Sequence, residues 1–173
     1  MVFSFNTIID QKAMTAMGKA LRKTTRKKRS RRGDILGCIA VLFGVLLLFG
    51  GKDGFVFGFR SIVILLALLT VIIVMIWEDQ INAYIARKRM MPGTGSAVSI
   101  FDADGYKTTT DIGETCWHYD KIGQLAKTGD YYVFAFGQSH AQVYDRRSIS
   151  GGTTEEFEKF IEGKTEKRFQ MIR

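Results

Sequence analysis

Proline is nearly missing from this chain: Pro92 is the only one among 173 residues, so the single residue that must stop a helix stands at one known place. Cysteine is almost as scarce. Cys38 lies inside an apolar run and Cys116 in a polar stretch far from it, which excludes a disulfide framework. Acidic residues are absent from Lys19 to Arg32, where nine Lys or Arg stand. Ionisable residues are absent from Ser61 to Trp77, which argues against an ion or proton path through that segment. No P-loop, G-x-S-x-G or H-E-x-x-H arrangement occurs, so the common sequence signatures of nucleotide, acyl-transfer and zinc-protease chemistry are missing.

What the chain does have is two uninterrupted apolar runs, Ile35 to Gly50 and Ser61 to Trp77, separated by ten residues and preceded by the basic stretch. This reads as a transmembrane hairpin. Sixteen residues of helix extend about 24 Å, slightly short of a hydrocarbon core of roughly 30 Å, so Gly33, Asp34 and the glycines after Phe49 are expected at the boundaries. The positive-inside rule holds the N-terminal end in the cytoplasm, and two crossings return the chain there. More than thirty largely polar residues precede the first run, unlike a secretory signal, so the first span is expected to be retained.

Charge divides the chain further. Residues 1–33 carry +9, 34–94 carry +1 and 95–173 carry −2 of the net +8. Basicity confined to an arm beside a span points to anionic lipid, and a soluble part with no basic surface of its own argues against nucleic acid. The expected organisation is therefore a basic cytosolic arm with an amphipathic helix (1–33), a transmembrane hairpin (34–77, spans about 35–50 and 61–77), a juxtamembrane helix and linker (78–94) and a cytosolic domain (95–173).

Within the arm, Val2 to Ile9 is rich enough in β-branched and aromatic residues for a short strand. After Asp10, a helix N-cap, the residues Ala13, Met14, Met17, Ala20 and Leu21 form a narrow apolar stripe. Two readings of this stripe are open, an interfacial anchor on anionic lipid and packing on the cytosolic domain. The pairs Gly33/Gly37 and Ala40/Gly44 allow close approach of a second helix, either the other span or another copy. Glu78 to Met91 keeps helical composition, so the second span is expected to continue into the cytosol until Pro92-Gly93-Thr94-Gly95 breaks it.

Beyond the break the period changes to two. Strands are expected over 97–101, 106–110, 114–119, 122–126, 131–136 and 141–144, giving some six antiparallel strands, with turns at Asp102-Ala103-Asp104-Gly105 and Gly129-Asp130. Thr153 and Glu156 form a capping box before a helix bearing Phe157, Phe160 and Ile161 on one side. The soluble part is thus an α+β domain with the helix as a lid.

The segments FDADGYKTTT, ETCWHYDKIGQLAKTGDYYVFAF and HAQVYDRRSISGGTTEEFEKFI, following a polar arm and a two-span hairpin, resemble the YcxB-like family of bacterial membrane proteins. The most specific part is Trp117 through Asp120 with Ile122, followed by Arg146-Arg147-Ser148; Asp145 stands where members of the family often have proline. The resemblance implies a bacterial inner-membrane, multi-pass protein with both termini cytoplasmic. It also implies a C-terminal domain similar to a pleckstrin-homology-like half-barrel, an antiparallel sheet with a C-terminal helix that binds rather than catalyses.

Several constellations are candidates for chemistry. Cys116 and His118 share a strand face and His140 lies on a nearby strand, but three ligands without a fourth do not make a metal site, and no metal or other cofactor is expected. Trp117, Tyr119, Tyr131, Tyr132, Phe134 and Phe136 are read as core rather than as a ligand groove. Arg26, Lys27, Lys28, Arg29, Arg31 and Arg32, with Arg87, Lys88 and Arg89 after the second span, are the candidates for lipid-headgroup contact. Arg146, Arg147 and Ser148 are the candidates for binding a partner. The function expected is a membrane-anchored binding or regulatory module without catalytic activity, whose partners are anionic lipid and a protein or a second copy; the alternative is a component of a small oligomeric transporter or channel.

Overall fold

The computed structural model describes residues 2–49 and 54–172. Gly50, the expected end of the first span, and Gly51, Lys52 and Asp53 of the expected loop lie outside the described residues. Residues up to Lys27 form one unit with those from Asn82 onward, and Lys28–Ile81 form a second.

The first unit begins with β1 (Phe3–Ile8), whose alternation buries Phe3, Phe5 and Thr7 and turns Ser4, Asn6 and Ile8 outward. β1 pairs antiparallel with β2 (Ser96–Phe101), in register Phe3 to Phe101 and Ile8 to Ser96. β3 (Tyr106–Thr110) and β4 (Gly113–Trp117) complete a four-stranded antiparallel sheet in the order β1-β2-β3-β4. A second sheet, β7-β6-β5-β8, is built from β5 (Gln124–Thr128), β6 (Tyr131–Ala135), β7 (Ala141–Asp145) and β8 (Phe169–Met171). β1 also hydrogen-bonds along its other edge: Ser4 and Ser150 exchange two N–H···O bonds of 2.9 Å, and the Asp145 amide donates to Thr7 Oγ1 at 3.1 Å.

Between the sheets lies a largely aromatic core of Phe3, Phe5, Phe101, Tyr106, Tyr132, Phe134 and Tyr144, completed by Phe157 and Ile161. The last two come from α4 (Thr154–Thr165), which carries the full capping box between Thr153 and Glu156. The second sheet is covered on its other face as well. α1 (Gln11–Lys23), capped by Asp10 Oδ1 accepting from the Ala13 amide at 2.8 Å, sets Ala13 and Ala20 against Ala126, Val133 and Val143. Alanine at these positions lets the helix lie close on the strands, and two-sided burial explains why Tyr132 to Ala135 is a continuous buried run.

These facts correct the expected boundaries. Of the expected arm (1–33), the residues up to Lys27 do not stand apart from 95–173: β1 and α1 belong to the same fold as β2–β8, because their apolar faces supply one edge of its core and the cover of its second sheet. The stripe on α1 is accordingly a packing face and not an interfacial anchor. Beyond Pro92 seven strands, β2–β8, stand among the described residues where six were expected, and β5 and β8 pair in parallel, Leu125 opposite Phe169. Tyr119–Lys121 is a short 3-10 turn rather than the end of a strand.

The second unit holds α2 (Lys27–Phe49, whose first residue belongs to the first unit) and most of α3 (Phe59–Lys88). Both are long and apolar enough to cross a membrane by length and composition. α3 runs on past the second apolar segment as expected, with a departure from helical geometry at Trp77. Gly37 faces Met75 and Gly44 faces Leu68 so closely that an added Cβ would stand 2.5 and 2.4 Å from their side chains. Two contacts seven residues apart on each helix form one antiparallel seam. The glycines therefore serve packing between these two helices, while a Cβ at Gly33 would meet nothing within 4 Å. The remaining surface is apolar and open: no residue of α2 is buried, and Leu36, Leu42, Phe43 and Leu46 are all more than half exposed.

Candidate functional site

The basic turn Arg146-Arg147-Ser148 follows β7 as a 3-10 turn, and each of its side chains is engaged within the domain. Asp145 caps it. Its Oδ1 accepts from the Arg147 amide at 2.9 Å and from Arg147 Nε at 3.0 Å, and its Oδ2 accepts from Nη2 at 2.8 Å, a bidentate ion pair that Asp130 extends at 3.5 Å. The Arg147 guanidinium, ahead of the backbone amide, holds the Asp145 carboxyl below its ordinary range despite partial burial. Ser148 Oγ donates to the Asp145 carbonyl at 2.8 Å and accepts from the Asn6 amide at 3.1 Å, tying the turn to β1.

Arg146 points the other way. Its guanidinium lies 5.1 Å from the centre of the Tyr132 ring, donates to the Gly129 carbonyl at 3.2 Å and stands 3.9 Å from Glu158. Glu158, on α4, also accepts from Lys127 Nζ at 2.8 Å and from Tyr132 Oη at 2.8 Å. The group Lys127, Arg146 and Arg147 is thus matched by Asp130, Asp145 and Glu158, and the turn has no net charge to offer an anion. The partner-binding reading of Arg146, Arg147 and Ser148 meets a geometry in which all three fasten β7, β1 and α4 together.

The lipid-contact candidates fall in three places. Arg26, just after α1, donates through Nε to the Gln138 carbonyl and so is partly consumed inside the domain. Lys27, Lys28, Arg29, Arg31 and Arg32 are exposed on the first turns of α2, continuous with its apolar run. Cations at a helix N-terminus oppose the helix dipole by about 0.3–1 kcal/mol each near the first turn, and α2 has no acidic residue there. Helix formation does not account for this placement. Arg87, Lys88 and Arg89 are exposed at the end of α3, where cations suit the dipole as well.

The Cys and His residues do not converge. Cys116 is exposed on the edge strand β4, whereas His140 lies against Trp117 and Phe136 at 5.5 Å from each ring centre. Among the described residues no group of three or more His, Cys, Asp or Glu is placed to hold a metal ion. Of the aromatic residues weighed as a groove, Tyr119, Tyr132 and Phe134 are core, Trp117 stacks on Phe136 at 4.5 Å beside that core, and Tyr131 packs on the α1 side.

Two features escape sequence reasoning. The carboxylates that neutralise the basic turn come from 130, 145 and 158, and only the fold brings them together. Ile8, Met91 and Ile112 are large apolar side chains left exposed on the first unit; Ile112, between Asp111 and Gly113 in a turn, carries the one local hint, since apolar residues are unusual there. Comparisons of the chain with protein-family models, with curated proteins and with solved structures return no match.

Proposed function

We propose that this protein is a non-catalytic binding or regulatory module, anchored in the bacterial inner membrane by the α2–α3 hairpin, with its folded domain and both termini in the cytoplasm. One observation carries the reading: β1 and β2, the strands on either side of the hairpin, are neighbours in one sheet. A chain that leaves a domain and returns to it must cross a bilayer an even number of times, and two helices of suitable length lie in between. Their open apolar surfaces favour lipid as the surroundings, since a soluble monomer rarely leaves contiguous patches of this kind in water. The cations before the hairpin favour the cytoplasmic side for the domain.

The domain is read as a pleckstrin-homology-like half-barrel of the YcxB-like kind, with anionic lipid and a protein or a second copy as partners. Support comes from the arrangement of four strands, then three, then a helix whose Phe157 and Ile161 enter the space between the sheets. The transporter alternative draws less support, because Gly37 and Gly44 already receive Met75 and Leu68 of the same hairpin.

Protease added to inverted membrane vesicles from cells expressing the full chain tests the orientation. The domain should be digested there and protected in intact protoplasts; the reverse pattern sinks the proposal. Crosslinking in cells through photoreactive residues on the domain surface then identifies the partner, and a domain that crosslinks to nothing but lipid removes the protein-binding part.

A further inference from the structure

We propose that one end of the first sheet, bearing Ile8, Met91 and Ile112 beside Arg87, Lys88 and Arg89, is a docking surface for an anionic bilayer. The inference rests on the membrane-anchored reading above and adds which part of the domain meets the lipid. The register defines that end. Ile8 closes β1 opposite Ser96 at the start of β2, Val98 of β2 lies opposite Thr109, and Thr110 and Gly113 flank the turn that carries Ile112. The linker is fastened to the same end: the Ile9 amide donates to the Gly95 carbonyl at 2.8 Å and the Asp111 amide to the Gly93 carbonyl at 3.2 Å. Gly93 lies directly against Ile112, where a Cβ would stand 2.6 Å from Cγ2, and its φ of +84° suits glycine.

The two ends of the sheet differ in charge and in the number of exposed aliphatic residues, of which the far end carries Val2, 55% exposed. Ile8, Met91 and Ile112 are 70%, 66% and 56% exposed, and the three cations immediately precede Met90 and Met91 in the chain. Three carboxylates accompany them. Asp10 is turned onto the first turn of α1 and Glu114, at the start of β4, is ion-paired with Lys107 at 2.5 Å, which leaves Asp111 against the three cations. At the other end of the sheet the turn after β2 is polar and acidic, with Asp102 and Asp104 both exposed.

Exposed aliphatic groups flanked by cations match the boundary between acyl chains and anionic headgroups, where apolar burial and charge attraction add. A second copy of the chain would bring three more cations against these three. Chain continuity favours the bilayer too, since the segment bearing Arg87 to Met91 is the one that returns from the apolar hairpin.

The test uses the full chain in vesicles, with Cys38→Ala and Cys116→Ser as background and single cysteines carrying an environment-sensitive fluorophore. Labels are placed at Ile112→Cys, at Asp104→Cys on the far end and at Leu46→Cys in the first span, and lipids bearing a quencher on the acyl chain are added. In vesicles containing phosphatidylglycerol the label at 112 should be quenched several-fold more than that at 104. The difference should shrink in phosphatidylcholine alone, and in the variant Arg87→Glu, Lys88→Glu, Arg89→Glu. Equal quenching at 112 and 104 with strong quenching at 46 overturns the docking surface and leaves the anchored reading standing. A label at 112 shielded from aqueous iodide yet untouched by the lipid quencher overturns it in favour of a protein contact. Undiminished quenching at 112 without anionic lipid overturns the role of the cations. Absence of quenching at 46 overturns the anchored reading itself.

Discussion

Four of the six tyrosine hydroxyls of the first unit, those of Tyr106, Tyr119, Tyr132 and Tyr144, are held by hydrogen bonds within the fold. Tyr106 and Tyr144 both donate to Gln142 Oε1, at 2.7 and 2.6 Å; Tyr119 lies 2.7 Å from the Asp102 and Gly105 carbonyls; and Tyr132 donates to Glu158. Burial, the largest cause in every case, pushes all four phenols above their ordinary value. The sign of the linkage follows. In the unfolded chain tyrosine loses its proton near pH ~10, whereas the folded protein keeps it, so above that pH the folded state binds more protons. Stability is therefore complete below about pH 10 and falls as pH rises through the folded values. Phenolate absorbance from these residues should appear together with loss of the near-ultraviolet circular dichroism, in one transition above pH 10. Phenolate forming well before the dichroism is lost would show that the hydroxyls are not held as described. At this scale the sequence was only partly legible. The aromatic residues read as core because a domain this small needs their rings there, but Arg146 and Arg147 read as a free basic turn because nothing local reveals that Asp130 and Glu158 fold onto it.

Among the elements, β1 does more than its short length suggests. Phe5 meets Phe101, Tyr132, Tyr144 and Phe157 at ring-centre distances of 5.6, 6.1, 5.8 and 4.7 Å, so a strand from the N-terminus joins both sheets and α4. Truncating a buried phenylalanine costs about 3–5 kcal/mol. Phe5→Ala should therefore lower the stability of the domain by that amount, while Val2→Ala, at an exposed position, should change it by less than about 0.5 kcal/mol. Denaturant unfolding of the full chain in detergent, followed by Trp117 fluorescence in a Trp77→Phe background, measures both; equal effects would mean that β1 is not part of the core. Elements with a strong local signal were legible in the sequence: the capping box of α4, the stripe of α1, the two apolar helices and most of the hairpin strands. β8 was not, since three residues gain a strand only by parallel pairing with Leu125 to Lys127, more than forty positions earlier. The stripe on α1 announced a helix with one buried face, yet periodicity is the same whether that face meets a bilayer or the backs of β5, β6 and β7.

For the whole molecule, the consequence is that the hairpin is an insertion into a domain and not a stalk in front of one. The core needs β1 from one side of the insertion and β2 from the other, with Ile8 paired to Ser96 across almost ninety residues of chain. The conventional soluble fragment, residues 95–173, lacks Phe3 and Phe5 from the core and leaves Ala126, Val133 and Val143 without α1. That fragment should be unfolded or molten, with exposed apolar surface that binds hydrophobic dyes. A chain in which residues 28–81 are replaced by a flexible Gly/Ser linker retains every residue of both clusters and should fold as a water-soluble protein. A linker's closure cost grows only slowly with its length, so the exact number of residues matters little once the ends are spanned. Dispersed amide spectra and a cooperative thermal transition are expected from the linked chain, and neither from 95–173. Should the short fragment melt cooperatively at the same temperature as the linked chain, β1 and α1 would be dispensable, and the argument that both flanks of the hairpin share one side of the membrane would lose its structural basis.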